Sequence, residues 1–115
     1  METRTIPEDR WSEFFDRFSR DHFGWTATVE VLDPGAGAQH VAENLPLQGI
    51  SLDTKGTRAC TIALAVGDDP DAHINHVVER PLHIREAQEA DGSVDLQIQP
   101  AEGPVTLLHL HGPVH

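Results

Sequence analysis

The 115-residue sequence holds a single cysteine, Cys60, so no internal disulfide can form. Cys60 sits in the apolar run "ACTIALAV", where a buried, reduced thiol is expected, and such a thiol belongs in a reducing compartment. No stretch approaches the roughly 18 apolar residues that a membrane-spanning helix needs. Residues Met1–Arg10 are charged and carry Pro7, unlike the apolar segment of a secretory leader, so a cytoplasmic location is expected.

Basic residues are also scarce, 8 against 19 acids, for a net charge of −11 with histidines neutral. Four of the eight (Arg4, Arg10, Arg17 and Arg20) fall in the first 20 positions, where five acids accompany them. Everything beyond is strongly acidic. Such a surface repels phosphate backbones and anionic lipid headgroups, so neither nucleic acid nor a membrane is an expected partner.

Catalytic motifs are missing as well. There is no G-x-S-x-G, P-loop, G-x-G-x-x-G, H-E-x-x-H or C-x-x-C, and no calcium-loop pattern of spaced acids. "DPGAGA" is glycine-rich but has no strand–helix context that would hold phosphate. Thiol catalysis would need Cys60 exposed in an electropositive setting, which its apolar neighbours oppose. No cofactor is expected, and the sequence does not point to an enzyme.

What is present reads as one domain, residues 1–115, long enough to bury roughly two-thirds of its unfolded surface. In "TIPEDRWSEFFDRFSRDH", Trp11, Phe14, Phe15 and Phe18 fall at i, i+3, i+4 and i+7, which predicts an amphipathic helix over about 7–21. Thr5 and Glu8 have capping-box spacing, and the charges along the helix suit its dipole. From Gly24 the period changes to two. "WTATVEVL", "PLQGISLDT", "ACTIALAV", "INHVV", "PLHIREAQ", "SVDLQIQ" and "VTLLHLH" are strand-like, separated by turn signals that include "DPGAGAQ", "TKGT", "GDDPDA", "ERP", "ADG" and "AEGP". The expectation is an α+β fold. Its N-terminal helix packs on an antiparallel β-sandwich or partly open β-barrel of about six or seven strands, the β-rich region running from about 24 to 111.

One register can be worked out from parity. A two-residue turn at Asp91-Gly92 would pair Ile84 with Gln99, apolar against polar. A three-residue loop, Ala90-Asp91-Gly92 with a left-handed Gly92, pairs Ile84 with Ile98 and puts Val94 and Leu96 on the same face. The second is expected. If Ala101-Glu102-Gly103 forms the next turn, Leu108 faces Leu96 and Leu110 faces Val94. His109 and His111 of the closing "TLLHLHGPVH" then point outward, with His109 beside Asp95.

Two histidine clusters could carry chemistry. The first is "GDDPDAHINHVVE", where His73 and His76, with Asp69 and Asp71, are candidate metal ligands. The His-x-x-His spacing puts both rings on one face of a helix but on opposite faces of a strand. The second is His109, His111 and Asp95. Histidines two apart on a strand stand about 7 Å apart, close enough to share an ion only if a third ligand converges. Against both stands the plainer reading of histidines satisfied by a neighbouring carboxylate or by solvent.

The string Thr3-Arg4-Thr5-Ile6-Pro7, then Trp11, Phe14-Phe15-Asp16, Phe18-Ser19-Arg20, His22 and Gly24-Trp25, is the most specific pattern in the chain. With "LPLQGISLD" and "AVGDDPDAHINHVV", it resembles domain-of-unknown-function family 5335 over nearly the whole length. The resemblance implies a small bacterial cytoplasmic protein and carries no activity, cofactor, partner or catalytic residue. The terminal "HLHGPVH" looks particular to this chain. The expected role is therefore a non-enzymatic binding or interaction module, with an unidentified protein partner or self-association through exposed sheet edges. The alternative is a divalent-metal or small-ligand protein using the His73/His76 region.

Overall fold

The aromatic stripe forms the helix it predicts, one turn later than expected. In a computed structural model, in which residues 2–33, 35–53, 61–67 and 73–112 are described, Glu8–Arg10 makes a single 3-10 turn and α1 spans Trp11–Asp21. Trp11, Phe15 and Phe18 are buried, and Phe14 packs against them from the rim. Thr5 makes no capping box, because it is the last residue of strand β1 (Glu2–Thr5) and neither helical segment has a side-chain cap. The chain stays committed to the sheet through Ile6, whose N–H donates to Ile84 O at 2.8 Å. The Trp11 indole N–H then donates to Ile6 O at 3.0 Å, tying the start of the helix to the end of that strand.

Seven further strands follow: β2 (Thr26–Asp33), β3 (Gly37–Asp53), β4 (Thr61–Val66), β5 (Ile74–Glu79), β6 (Pro81–Gln88), β7 (Val94–Pro100) and β8 (Val105–His111). All pairings are antiparallel, in the order β1-β6-β7-β8-β2-β3-β4-β5, and the sheet does not close. The fold is α+β as expected, with eight strands where six or seven were expected. The additional strand is β1, whose sequence "ETRT" has no apolar alternation to announce it. The end of the break "DPGAGAQ" and the "HVAEN" after it instead extend β3 back to Gly37. The start of the "ACTIALAV" run, with Cys60, and the turn "TKGT" lie outside the described residues, as do Asp69, Asp71 and His115.

The sheet folds over at two corners. At the first, the 17-residue β3 pairs with β2 through its first part (Gly37 to Pro46) and with β4 through its last (Leu47 to Asp53). The registers slip on both sides of this passage, and Asn44 takes a left-handed φ of 52°, the signature of a bulged strand leaving one pairing for another. At the second corner, only Arg80, with φ 50°, separates β5 from β6, although the two lie far apart in the strand order. Helix α1 packs over β3, where the Ser19 hydroxyl accepts from the Ile50 N–H at 2.9 Å and donates to the Ile50 carbonyl at 2.8 Å. The aromatic stripe meets Leu47 and Ile50 of β3, Ile62 and Leu64 of β4, and the inward rows of β7 and β8 in one apolar cluster.

The parity argument at residues 84–110 holds residue by residue. Ile84 pairs with Ile98, Gly92 takes φ 91°, Leu96 pairs with Leu108 and Val94 with Leu110. Buried side chains alternate strictly along β7 and nearly so along β8.

Phe15 is fully buried. Phe15→Ala is expected to cost about 3–5 kcal/mol, the usual range for emptying a large aromatic site. Ser12→Ala on the exposed side of the same helix should stay within about 0.5 kcal/mol of the parent. Urea unfolding of both variants checks the assignment of the helix face.

Candidate functional site

The two histidine clusters separate in the structure. His73 precedes β5 and is exposed, whereas His76 lies on the inward row of β5 with Ile74 and Val78. His76 is half-buried, with Nε2 3.0 Å from the Thr106 hydroxyl of β8. Burial disfavours the imidazolium and lowers the His76 pKa below its ordinary value, so the ring is neutral at pH 7. Asp69 and Asp71 fall outside the described residues, so only the two rings of that set can be placed. Among the described residues, no group of three or more His, Cys, Asp or Glu side chains is arranged to hold a metal ion.

At the C-terminal cluster, Asp95 and His109 are direct cross-strand partners, with His109 Nδ1 2.6 Å from Asp95 Oδ1. A carboxylate oxygen accepts, so Nδ1 carries the proton and the pair fixes the tautomer. Thr28 stands opposite His109 on β2, completing a row of hydroxyl, imidazole and carboxylate. The Thr28 hydroxyl accepts the Asn44 N–H at 3.3 Å, and no hydrogen bond joins it to His109 among the described residues. His111 is exposed at the end of β8. Across the β6–β7 loop, the Ser93 hydroxyl and N–H donate to Asp91 at 2.6 and 3.0 Å and hold its carboxyl below the usual range. Asp95, His109 and His111 are therefore on one surface, but only the first two are joined.

What sequence reasoning missed is the environment of His76. A groove of about 280 Å³ is lined by His76, Val77, Val78 and Glu79 of β5 and, across from them, by Val31, Pro100, Glu102, Pro104 and Thr106. Residues from both faces of β5 line it, which places the groove along the edge of that strand. β5 is the last strand in the sheet order, so among the described residues its outer edge is not hydrogen-bonded to a neighbouring strand. Val77 is 54 % exposed there, one of four large exposed apolar side chains among the described residues. Glu79 and Glu102 give the groove a negative rim, and Glu102 also pairs with Arg80 at 3.3 Å. The sequence singles out His76 and Glu79 within "GDDPDAHINHVVE" and Glu102 and Pro104 within the "AEGP" turn, but no local pattern shows that the two segments face each other.

A family model matches residues 2–115, nearly the entire chain. The chain belongs to the family of unknown function DUF5335. It is also 36 % identical over 55 residues to an uncharacterized protein of Aquifex aeolicus (strain VF5). That match covers 48 % of this chain and 50 % of the relative, so the chain spans about half the length of the curated protein it matches. No solved structure matches it. The histidine positions of this DUF5335 chain thus rest on its own geometry. Among the described residues, no helix is long and apolar enough to cross a membrane.

The lowered pKa of His76 has a definite sign. Its folded-state pKa lies below the unfolded value, so the native state binds fewer protons once the pH drops under about 6.5, the unfolded reference. The stability it contributes is complete above that pH and is lost as pH falls through the lowered folded pKa. Between pH 7 and pH 5, the parent should lose more unfolding free energy than His76→Asn. Equal losses in urea titrations at the two pH values would show that His76 is not the titrating group.

Proposed function

We propose that this chain is a non-enzymatic protein-interaction module that receives an extended segment of a partner protein along the free edge of β5. The observation that carries the reading is the groove at that edge, with β5, paired only with β4 among the described residues, on one side and a wall of Val31, Pro100, Pro104 and Thr106 on the other. A strand added at a sheet edge gains main-chain hydrogen bonds, and alternate side chains supply specificity. Val77 offers that strand an apolar contact, and Glu79 and Glu102 favour a basic residue beside it. The favoured partner therefore has alternating apolar side chains and at least one Lys or Arg.

Pairing of β5 with a second copy is the other use of the same edge. Two chains of net charge −11 repel, so a basic partner is favoured over self-association. The bacterial cytoplasm remains the proposed setting, in keeping with the lone cysteine. A second reading keeps His76 as a ligand for a divalent metal or small molecule, because its imidazole lines a groove that also holds the carboxylates of Glu79 and Glu102. That reading requires a zinc-dependent rise in melting temperature that is lost in His76→Ala.

Selection of displayed extended heptapeptides on the immobilised protein should enrich sequences with alternating apolar residues and a Lys or Arg. Val77→Lys should reduce binding of the enriched peptides about tenfold or more while shifting the melting temperature by only a few degrees. Concentration-dependent dimerisation abolished by Val77→Lys would assign the edge to a second copy instead. Peptide binding indifferent to Val77 would overturn the edge-strand reading.

A further inference from the structure

Several basic residues of this acidic chain gather at one place. Of the eight, Arg4, Arg10 and Arg17 line one cleft of about 290 Å³ between β1 and α1. Arg10, the residue just before α1, lines the cleft together with Phe14 and Arg17 of the helix, and the pairing of β1 with β6 brings Arg4 up beside them. Ile6, Pro7 and Phe14 supply apolar lining, and Glu13 is the only acid in the lining.

The state of each guanidinium points the same way. Glu13 Oε2 stands 3.3 Å from Arg10 Nη1, an exposed pair of the kind that contributes little. Arg17 makes no ion pair with any described carboxylate, although acids outnumber bases by more than two to one. Arg4 is held from behind: its Nε donates to Glu86 Oε1 at 3.0 Å, and its Cζ lies 5.9 Å from the Phe14 ring centre.

Glu86 is the unusual member. Its side chain is 5 % exposed on the inward row of β6, between Arg4 of β1 and Leu96 of β7. Taking a carboxylate out of water costs several kcal/mol unless it is well paired, and an apolar residue in that row would avoid the cost. Arg4 itself is 66 % exposed, so the pair does not serve to bury the arginine. What Glu86 does is engage Nε, leaving the terminal nitrogens of Arg4 to bind something else. Three guanidinium groups around one cleft also repel each other, and a bound anion relieves that repulsion.

We infer that the cleft between β1 and α1 is a binding site for a small organic anion, a carboxylate or phosphate on an apolar body, with Arg4, Arg10 and Arg17 on the anionic head and Phe14 against the body. Arginine matches both headgroups through the same paired N–H donors. The volume lies at the small end of ligand sites and suits a molecule the size of a substituted benzene ring. Glu86 is a positioning residue for Arg4. The site is independent of the groove at β5 and shares none of its residues.

Phenyl phosphate and benzoate, each titrated at low ionic strength and followed by NMR at the arginine Nε–H and Trp11 indole N–H signals, provide the test. Saturable shifts at Arg4, Arg10 and Arg17 are expected with at least one of the two, and which one binds identifies the headgroup. Arg17→Ala should weaken binding about tenfold, about 1.4 kcal/mol, whereas Arg20→Ala, which is not in the lining, should leave it unchanged. Glu86→Gln should weaken binding and broaden the Arg4 Nε–H signal. If neither anion gives saturable shifts, or if Arg17→Ala and Arg20→Ala act alike, the cleft is not an anion site and the arginines act only through general charge.

Discussion

The passage of β3 from one neighbour to another governs the rest of the molecule. A single 17-residue strand cannot keep β2 and β4 in one flat sheet while its register slips and Asn44 turns left-handed. The sheet folds there, and α1 is fastened over the passage by the two hydrogen bonds between Ser19 and the Ile50 backbone. That fold brings β5 back across the core until His76 reaches Thr106 of β8. Without it, β5 would lie four strands from β8 in the sheet order, and no groove would exist between them.

Both candidate sites occur where the sheet ends. β5 ends one side, with an edge unpaired among the described residues and an acidic rim. β1 ends the other, and next to it the arginine cleft forms against the helix. Interior strands have their backbone groups satisfied on both sides and present only alternating side chains. An end strand also offers free backbone groups and a lateral wall, so it is the natural place for recognition in an open sheet. The two ends differ in charge, with Glu79 and Glu102 lining the groove at one and Arg4, Arg10 and Arg17 the cleft at the other.

Local patterns are legible in the sequence where burial on one face imposes a period. Trp11, Phe15 and Phe18 identified the helix face, and the parity of Ile84, Val94, Leu96, Ile98, Leu108 and Leu110 set two hairpin registers. β1 was not legible, because "ETRT" is held by main-chain pairing with β6 and carries no apolar code. The capping box failed for the same reason: Thr5 was already committed to that strand. The outward placement of His109 and its pairing with Asp95 were legible, since both follow from register alone.

By itself, then, the sequence determined the helix, the alternation of most strands and the family, because each is a periodic or contiguous signal carried by neighbours in the chain. Only the tertiary structure decided the two corners, the burial of Glu86 behind Arg4 and the meeting of His76 with Thr106. These contacts join residues 30 to 82 positions apart, and no local pattern encodes which end of a folded sheet will face which. They depend on where a bulge lets a strand change partners, a balance of backbone geometry and core packing that exists only once the whole sheet has assembled.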